Sequence, residues 1–347
     1  MNKESRVVIA ITGASRGLGE ALAREWLRYY RSRLRTREAH VTLLLAARSR
    51  DRLEQLANDL LQQECEPSFA DMITITTCEY DGTRDASTTE LIERLQELCT
   101  EDARRAIAAS PAASSTLIVV AAAGSHEPAT VATGTTYRYS TADDFDAATK
   151  AASRALNVES PVRLCSSLAH SASLMALGVA LHFVFISSQA ADDKWWPLGN
   201  ALYGPHKLEA ERRLEAVLVE LTRARTALPS ALLVHSLRYP LIATPMAEQL
   251  YTELLPVEAA LHVDRDLSKP GIERAAIFHP VDVVARRTVN WIVAMQQHHQ
   301  QLPALPHTGG VDLPSMQYGF ERLVDSEMQH TWNYCAPISG ELSSSSE

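Results

Sequence analysis

Short apolar runs alternate along this chain with longer segments in which apolar side chains recur every three or four residues. Val7-Val8-Ile9-Ala10-Ile11 reads as a strand, and Gly19 to about Leu34 as a helix. Val41–Ala46 is the next strand and Arg50–Leu61 the next helix; Ile73-Thr74-Ile75 and Thr88–Leu98 repeat the pair. Leu117–Ala121 is a strand, and a helix from Phe145 to Leu156 follows. Phe183–Ser187 is a strand, Tyr203–Thr222 a helix and Leu232–Leu237 a strand. Continuous apolar strands of this kind belong in a parallel sheet covered on both faces. The βαβα order predicts an α/β fold: a Rossmann-like, doubly wound parallel sheet with helices on both faces, in a single domain.

The stretch from Leu168 to Ile186 carries no Asp, Glu, Lys or Arg and could be taken for a membrane span. It holds His170, Gly178 and His182, and its second half is strand-like. A buried helix end, a turn and a buried strand account for it better than a spanning helix. Ala108–Ser115, His126–Ala142 and Asp264–Pro280 are rich in turn-forming or charged residues and read as loops. The domain is expected over 5–312. Residues 313–347 form a C-terminal extension whose Ser-rich end, Gly340–Glu347, has the composition of a disordered tail.

Composition narrows the function. The chain has 347 residues, 46% of them hydrophobic, enough for a large buried core. A net charge of -9 with no basic run argues against nucleic-acid or membrane-surface binding. Cys65, Cys78, Cys99, Cys165 and Cys335 are odd in number and widely spaced, so neither a disulfide framework nor a zinc cage is indicated. That usage fits a reducing cytoplasmic compartment. No His-Glu-x-x-His pattern occurs, and His298-His299 among glutamines reads as a solvated helix end, so no metal is expected. The N-terminus lacks the long apolar stretch of a signal peptide.

Candidate chemistry begins where the first strand runs into Thr12-Gly13-Ala14-Ser15-Arg16-Gly17-Leu18-Gly19 and then into a helix. Gly13 permits a tight turn, and Gly17 and Gly19 let backbone approach a pyrophosphate and let helix pack on strand. The helix start then offers free N–H groups and a positive dipole end to phosphates. An ordinary Gly-rich turn is the bland alternative. The second strand ends at Ala47-Arg48, where an NAD site commonly carries an acidic residue for the ribose 2′-hydroxyl. Arg48 and Arg16 together suit a 2′-phosphate instead, which points to NADP(H). Two solvated surface arginines are the competing reading.

Tyr203-Gly204-Pro205-His206-Lys207 opens a helix. Residues four apart share a helix face, so phenol and ammonium can point into one site. Pro205 requires that this be the first turn. Upstream, Ser187-Ser188 ends a strand, where ligands bind in open α/β sheets. Asn157 lies further upstream, with a purely structural amide as its alternative.

The order Thr-Gly-x-x-x-Gly-x-Gly, Asn, Ser, Tyr-x-x-x-Lys, spanning Thr12 to Lys207, resembles the short-chain dehydrogenase/reductase family. That resemblance implies a catalytic set of Asn157, Ser188, Tyr203 and Lys207, with Ser187 as the rival hydroxyl. It places NADP(H) against Gly13, Ala14, Ser15, Arg16, Gly17, Leu18, Gly19, Arg48, Ser49, Asp81, Gly124, Tyr203, Lys207, Ile242, Thr244 and Met246. Substrate would meet Ser188, Tyr203, Pro240 and Asp312. A phenol ionises near pH ~10, and Lys207 with an oxidised nicotinamide would pull that value down. Tyr203 would pass a proton to a carbonyl oxygen, Ser188 would bond the developing oxyanion, and Asn157 would position a water.

Finer features are similar to the sepiapterin reductase branch: the long first helix, Leu156-Asn157 followed by Ser160 and Cys165, Ile186-Ser187-Ser188, Ala201-Leu202-Tyr203, Thr244 with Met246, and Gly310-Val311-Asp312. That likeness implies a small carbonyl substrate with a pterin ring, held at Asp312, and a homodimer formed by the helices that carry Asn157 and follow Tyr203. Two other readings stay open. One is a carbonyl reductase for a diketone, quinone or steroid; the other is a non-catalytic regulator that binds NADPH. Two departures from the family pattern matter. Asn-Asn-Ala-Gly is replaced by Ala121-Ala122-Ala123-Gly124, which removes two amides near the cofactor. The loop from Ser188 to Tyr203 is longer than usual and carries Trp195 and Trp196, which could stack on a flat ring or form a lid or dimer contact.

Overall fold

A computed structural model describes residues 5–109, 114–128, 130–133, 136–193, 200–223, 232–239, 242–246, 279–301 and 320–324. Among them, seven parallel strands form one sheet. They are β1 (Ser5–Thr12), β2 (Ala39–Ala47), β3 (Ile73–Glu79), β4 (Ser114–Ala121), β7 (Ala180–Ser188), β8 (Leu232–Tyr239) and β9 (Phe320–Val324). The spatial order is β3-β2-β1-β4-β7-β8-β9. Strand order reverses between β1 and β4, which opens a crevice beyond their carboxyl ends, where Thr12 pairs with Ala121.

The two-residue period of each strand divides the core. In β1, Val7, Ile9 and Ile11 enter one buried cluster, and Val8 and Ala10 enter the other. The first cluster is covered by α1 (Gly17–Arg35), α2 (Arg50–Gln63) and α8 (Val281–Gln301). The second is covered by α3 (Asp85–Ala109), α5 (Ser160–Ala169) and α7 (Tyr203–Arg223). Helices cover both faces, which is why the middles of β1, β2 and β4 are apolar runs.

Several boundaries differ from those the sequence predicts. The region around 108 belongs partly to α3 and β4 rather than to a loop. Cys99, Ala103 and Ala106 continue the buried helical stripe past Leu98. The stretch His126–Ala142 holds an antiparallel hairpin, β5 (Thr130–Thr133) with β6 (Thr136–Tyr139). Ser140 Oγ ties its base by donating to the Pro128 carbonyl at 2.7 Å. The helix expected from Phe145 starts later, as α4 (Ala147–Arg154), capped by Asp146, whose carboxylate accepts from Thr149 N–H at 2.7 Å. It then widens into a π turn, Ala155–Glu159. The apolar run near 168–186 is the end of α5, a short α6 (Ala172–Ala176) and β7. The sheet also continues past residue 312, because Phe320–Val324 pairs in parallel with β8 from Val234 to Arg238. The extension therefore contributes an edge strand to the domain. No described helix is long and apolar enough to cross a membrane, and the described residues hold no group of three or more potential metal ligands.

Candidate active site

The glycine loop is built by backbone. Gly13 and Gly17 hold φ values of 71° and 59°, in the left-handed region that disfavours side chains. A Cβ on Gly13 would stand 2.9 Å from Ala123 Cα, and one on Gly19 only 2.3 Å from the Gly13 carbonyl oxygen. The loop is thus packed as tightly as backbone allows, against the end of β4 on one side. The residue before α1, Arg16, makes no side-chain cap, so it leaves the first N–H groups of the helix to other partners. Ala14 and Leu18 are buried and anchor the loop from below. A Cβ on Gly17 would lie 3.4 Å from Thr244 Cγ2, so Thr244 faces the loop from across the crevice. Ser15 is half-buried in the same turn.

The amides lost from the end of β4 are compensated by backbone. Ala123 N–H donates to the buried Thr12 hydroxyl at 3.1 Å, so β1 and β4 remain tied at the crevice. Arg16 and Arg48 are both exposed. Ser49 precedes α2 without capping it. Burial works against the Asp81 carboxylate, but bonds from the Thr83 hydroxyl and N–H, then the charges of Arg48 and Arg84, outweigh it and hold its pKa below the usual range. Arg48 and Asp81 are therefore electrostatic neighbours on the rim of the crevice.

The candidate catalytic residues Asn157, Tyr203 and Lys207 are buried, and Ser188 is half-buried. Pro205 sits in the first turn of α7, where its missing N–H costs nothing, and Tyr203 and Lys207 share one face. Lys207 is 2% exposed; its Nζ donates to the Ile186 carbonyl at 2.9 Å and lies 4.6 Å from the centre of the Phe185 ring and 5.5 Å from that of Tyr203. Burial pushes the ammonium down to about 8, against the opposing pull of Glu211. Burial pushes the Tyr203 phenol up to about 12; a bond with Ser188 opposes this and the charge of Glu127 adds to it. The phenol is thus held protonated at neutral pH, because desolvation outweighs the bond with Ser188.

Strand alternation separates the two serines. Ser187 points away and donates to Glu211 at 2.6 Å, whereas Ser188 bonds Tyr203 and accepts from Ala190 N–H at 3.1 Å. Asn157 sits in the π turn, fully buried, with Nδ2 donating to the Ser125 carbonyl at 3.1 Å and to Ser153 Oγ at 3.4 Å. Its Oδ1 has no hydrogen-bond partner. A Cβ on the exposed Gly124 would stand 3.3 Å from that Oδ1 and 3.5 Å from Lys207 Nζ, so both atoms border one open glycine. The structural bond and the free acceptor coexist on one amide, and a π turn is a common way to aim a side chain so.

Three neighbours of Tyr203 carry no local motif. The His126 ring lies 5.1 Å from the Tyr203 ring and its Nε2 is 3.1 Å from Asn200 Oδ1, while its Nδ1 meets the Glu127 carbonyl. Glu127 is 9% exposed, and its charge reaches both Tyr203 and His206. The available signal was the polar pair His126-Glu127, two residues after the Gly124 that follows a central strand. Of the remaining expected residues, Ile242 packs against the first cluster and bridges to His279, and Met246 is exposed. Pro240, Asp312, Cys335, Trp195 and Trp196 lie outside the described residues.

No protein-family model matches the chain, and no curated protein matches it either. Solved structures do. An alcohol dehydrogenase from the archaeon Thermococcus sibiricus, complexed with 5-hydroxy-NADP, is 18% identical over 92% of this chain and 95% of that one, with a TM-score of 0.52. L-sorbose reductase from Gluconobacter frateurii, complexed with NADPH and L-sorbose, is 18% identical over 83% and 90%, with a TM-score of 0.54. YwfH, an NADPH-dependent reductase involved in bacilysin biosynthesis, is 11% identical over 84% and 92%, with a TM-score of 0.56. None of the three is described as a sepiapterin reductase. What these likenesses establish is the fold, a single Rossmann-like domain of the kind on which short-chain dehydrogenases/reductases are built.

Proposed function

We propose that this chain is an NADPH-dependent carbonyl reductase. The observation that carries the reading is the meeting of Ser188, Tyr203 and Lys207 at the carboxyl end of β7, beside the crevice that the glycine loop opens. The residues present fit the dinucleotide. The loop leaves backbone room where a Cβ would clash, the start of α1 is uncapped, and Arg16 and Arg48 can hold a 2′-phosphate. Lys207, Tyr203 and Gly124 would border the nicotinamide end, and Thr244 would face the loop. When bound, the cofactor supplies the hydride that reduces the carbonyl carbon.

The chain's own residues supply the rest. Tyr203, protonated at neutral pH, gives its proton to the carbonyl oxygen. Ser188 donates a hydrogen bond to the same oxygen as charge develops on it. The Lys207 ammonium stabilises the phenolate left behind, and the free Oδ1 of Asn157 can hold a water beside Gly124. The solved relatives that bind NADP or NADPH as dehydrogenases and reductases support this class. A non-catalytic regulator would have no need of this buried set.

A pterin side-chain ketone is the finer proposal, supported by the sequence features around Ser160, Thr244 and Gly310-Val311-Asp312. A carboxylate can accept the paired donors of a pterin ring. The homodimer belongs with it, although Val162, Leu164 and Leu168 are already buried in the chain's own core, so the apolar run alone does not argue for a partner. NADPH consumption with sepiapterin and with a small diketone, in wild type and Asp312→Ala, tests both levels. The pterin reading expects a roughly 10- to 150-fold loss in kcat/KM for sepiapterin alone. Equal rates with both proteins leave the general reductase. No consumption with any carbonyl refutes the class.

A further inference from the structure

Glu211 is fully buried on α7, one helical turn beyond Lys207 and two beyond Tyr203. It gathers donors from two strands. Ser187 Oγ on β7 and Ser236 Oγ on β8 donate to its Oε1 at 2.6 and 3.0 Å. Arg238, at the end of β8, adds Nε to Oε1 at 2.8 Å and a second guanidinium nitrogen to Oε2 at 2.5 Å. Burial opposes the carboxylate, but Arg238 and Ser187 outweigh it and hold its pKa below the usual range. A buried ion pair is a poor source of net stability, since apolar residues of equal volume commonly do as well. Its placement is the informative part. Ser187 adjoins Ser188, and Arg238 ends the strand that leads into the far wall of the crevice.

We infer that Glu211 is a positioning residue for the reaction. It ties the ends of β7 and β8 to the helix bearing Tyr203 and Lys207, and it stands one turn beyond Lys207 on that helix. The inference rests on the carbonyl-reductase reading for its consequence but not for its geometry. Without the clamp, the elements that carry Ser188 and Tyr203 would lose a buried tie between them, and a displacement of about 1 Å can cost a hundredfold in rate. The charge matters separately. Around Lys207 stand the Ile186 carbonyl and Phe185 ring of β7, the Asn157 amide beside Gly124, and Tyr203 and Glu211 on its own helix. Further out, Glu127 acts on Tyr203 and His206, and Asp192 acts on Arg238. Of these, Glu211 is the carboxylate that opposes the desolvation of Lys207.

The two roles are separable. The chain contains five lysines, Lys3, Lys150, Lys194, Lys207 and Lys269, so ε-carbon-labelled lysine gives an NMR spectrum in which Lys207 can be followed through a pH titration. Glu211→Gln should keep much of the hydrogen bonding but remove the charge. The Lys207 titration should then move to lower pH, and kcat should fall roughly 10- to 100-fold. Glu211→Asp keeps the charge but shortens the reach; it should leave the Lys207 titration in place while lowering kcat. Ser187→Ala should do the same more mildly, by a few-fold. Circular dichroism and thermal melting establish that each variant is folded. A folded Glu211→Gln with an unmoved Lys207 titration overturns the electrostatic role. Wild-type kcat in both Glu211→Asp and Ser187→Ala overturns the positioning role, and those two variants decide the matter if Glu211→Gln does not fold. A wild-type chain that reduces no carbonyl would refute the reaction class instead, and the lysine titration would still test the charge.

Discussion

The two ends of the crevice are made of different material. At the dinucleotide end, shape comes from backbone: three glycines, an uncapped helix start, and two arginines left out in solvent. At the proposed catalytic end, Tyr203 and Lys207 are buried and their ionisation is displaced by their surroundings, with Lys207 down to about 8 and Tyr203 up to about 12. Backbone shape tolerates changes in side-chain chemistry and fails on a single added methyl. Buried charge tolerates little change of either kind, because each group sets the state of the next.

That contrast predicts where substitutions will act. Tyr203→Phe should have the largest effect, lowering kcat by at least ~100-fold while NADPH affinity, read by fluorescence titration, stays near wild type. Near-normal turnover would break the assignment of the catalytic end. Gly19→Ala should do the opposite. Its Cβ meets the Gly13 carbonyl oxygen at 2.3 Å, and relieving that overlap should cost about 2 kcal/mol, roughly 30-fold in NADPH affinity. Turnover at saturating cofactor should change far less.

Arg48→Asp should act more weakly, because the group is exposed and screened. We expect a change of about tenfold in the preference for NADPH over NADH, enough to abolish or invert it. Equal kcat/KM for the two cofactors in the wild type would show that the arginines are merely solvated. The smallest effect needs no mutation. Lys207 has a lowered pKa, so its ammonium is present below about pH 8 and is lost as pH rises through that value. Turnover should fall roughly fourfold between pH 7 and 8.5, in proportion to the remaining ammonium. Flat activity across that window would mean that Lys207 keeps its proton when the cofactor binds.

The backbone-built end was also the legible one. Glycines in a strand–loop–helix context have one geometric meaning, and Thr12 to Gly19 carry it in eight consecutive residues. Tyr203 and Lys207 were readable for a similar reason, since one helical turn brings them together. What escaped depends on contacts between distant segments. One exception is local: the π turn at Asn157 lies four residues before Pro161, which has no N–H to donate to the Asn157 carbonyl. His126 and Glu127 reach Tyr203 across more than seventy positions of sequence. Glu211 needed the pairing of β7 with β8 to find its donors. A clue was nevertheless present, because the apolar strand Leu232–Leu237 runs on into Arg238, and a cation at the end of a central strand requires a carboxylate nearby. The edge strand Phe320–Val324, with two charges in five residues, lacks the apolar continuity that marks the others.

The most direct test of the central claim is to follow the hydride itself. The wild-type protein is incubated with NADPH carrying deuterium in place of both hydrogens at the nicotinamide C4 position, and a panel of carbonyls that includes sepiapterin and a small diketone. The account predicts deuterium on the new alcohol carbon of at least one product, with loss of one NADPH per alcohol formed, and almost none with Tyr203→Phe. Unlabelled product, or no product from any carbonyl while NADPH still binds, would contradict it.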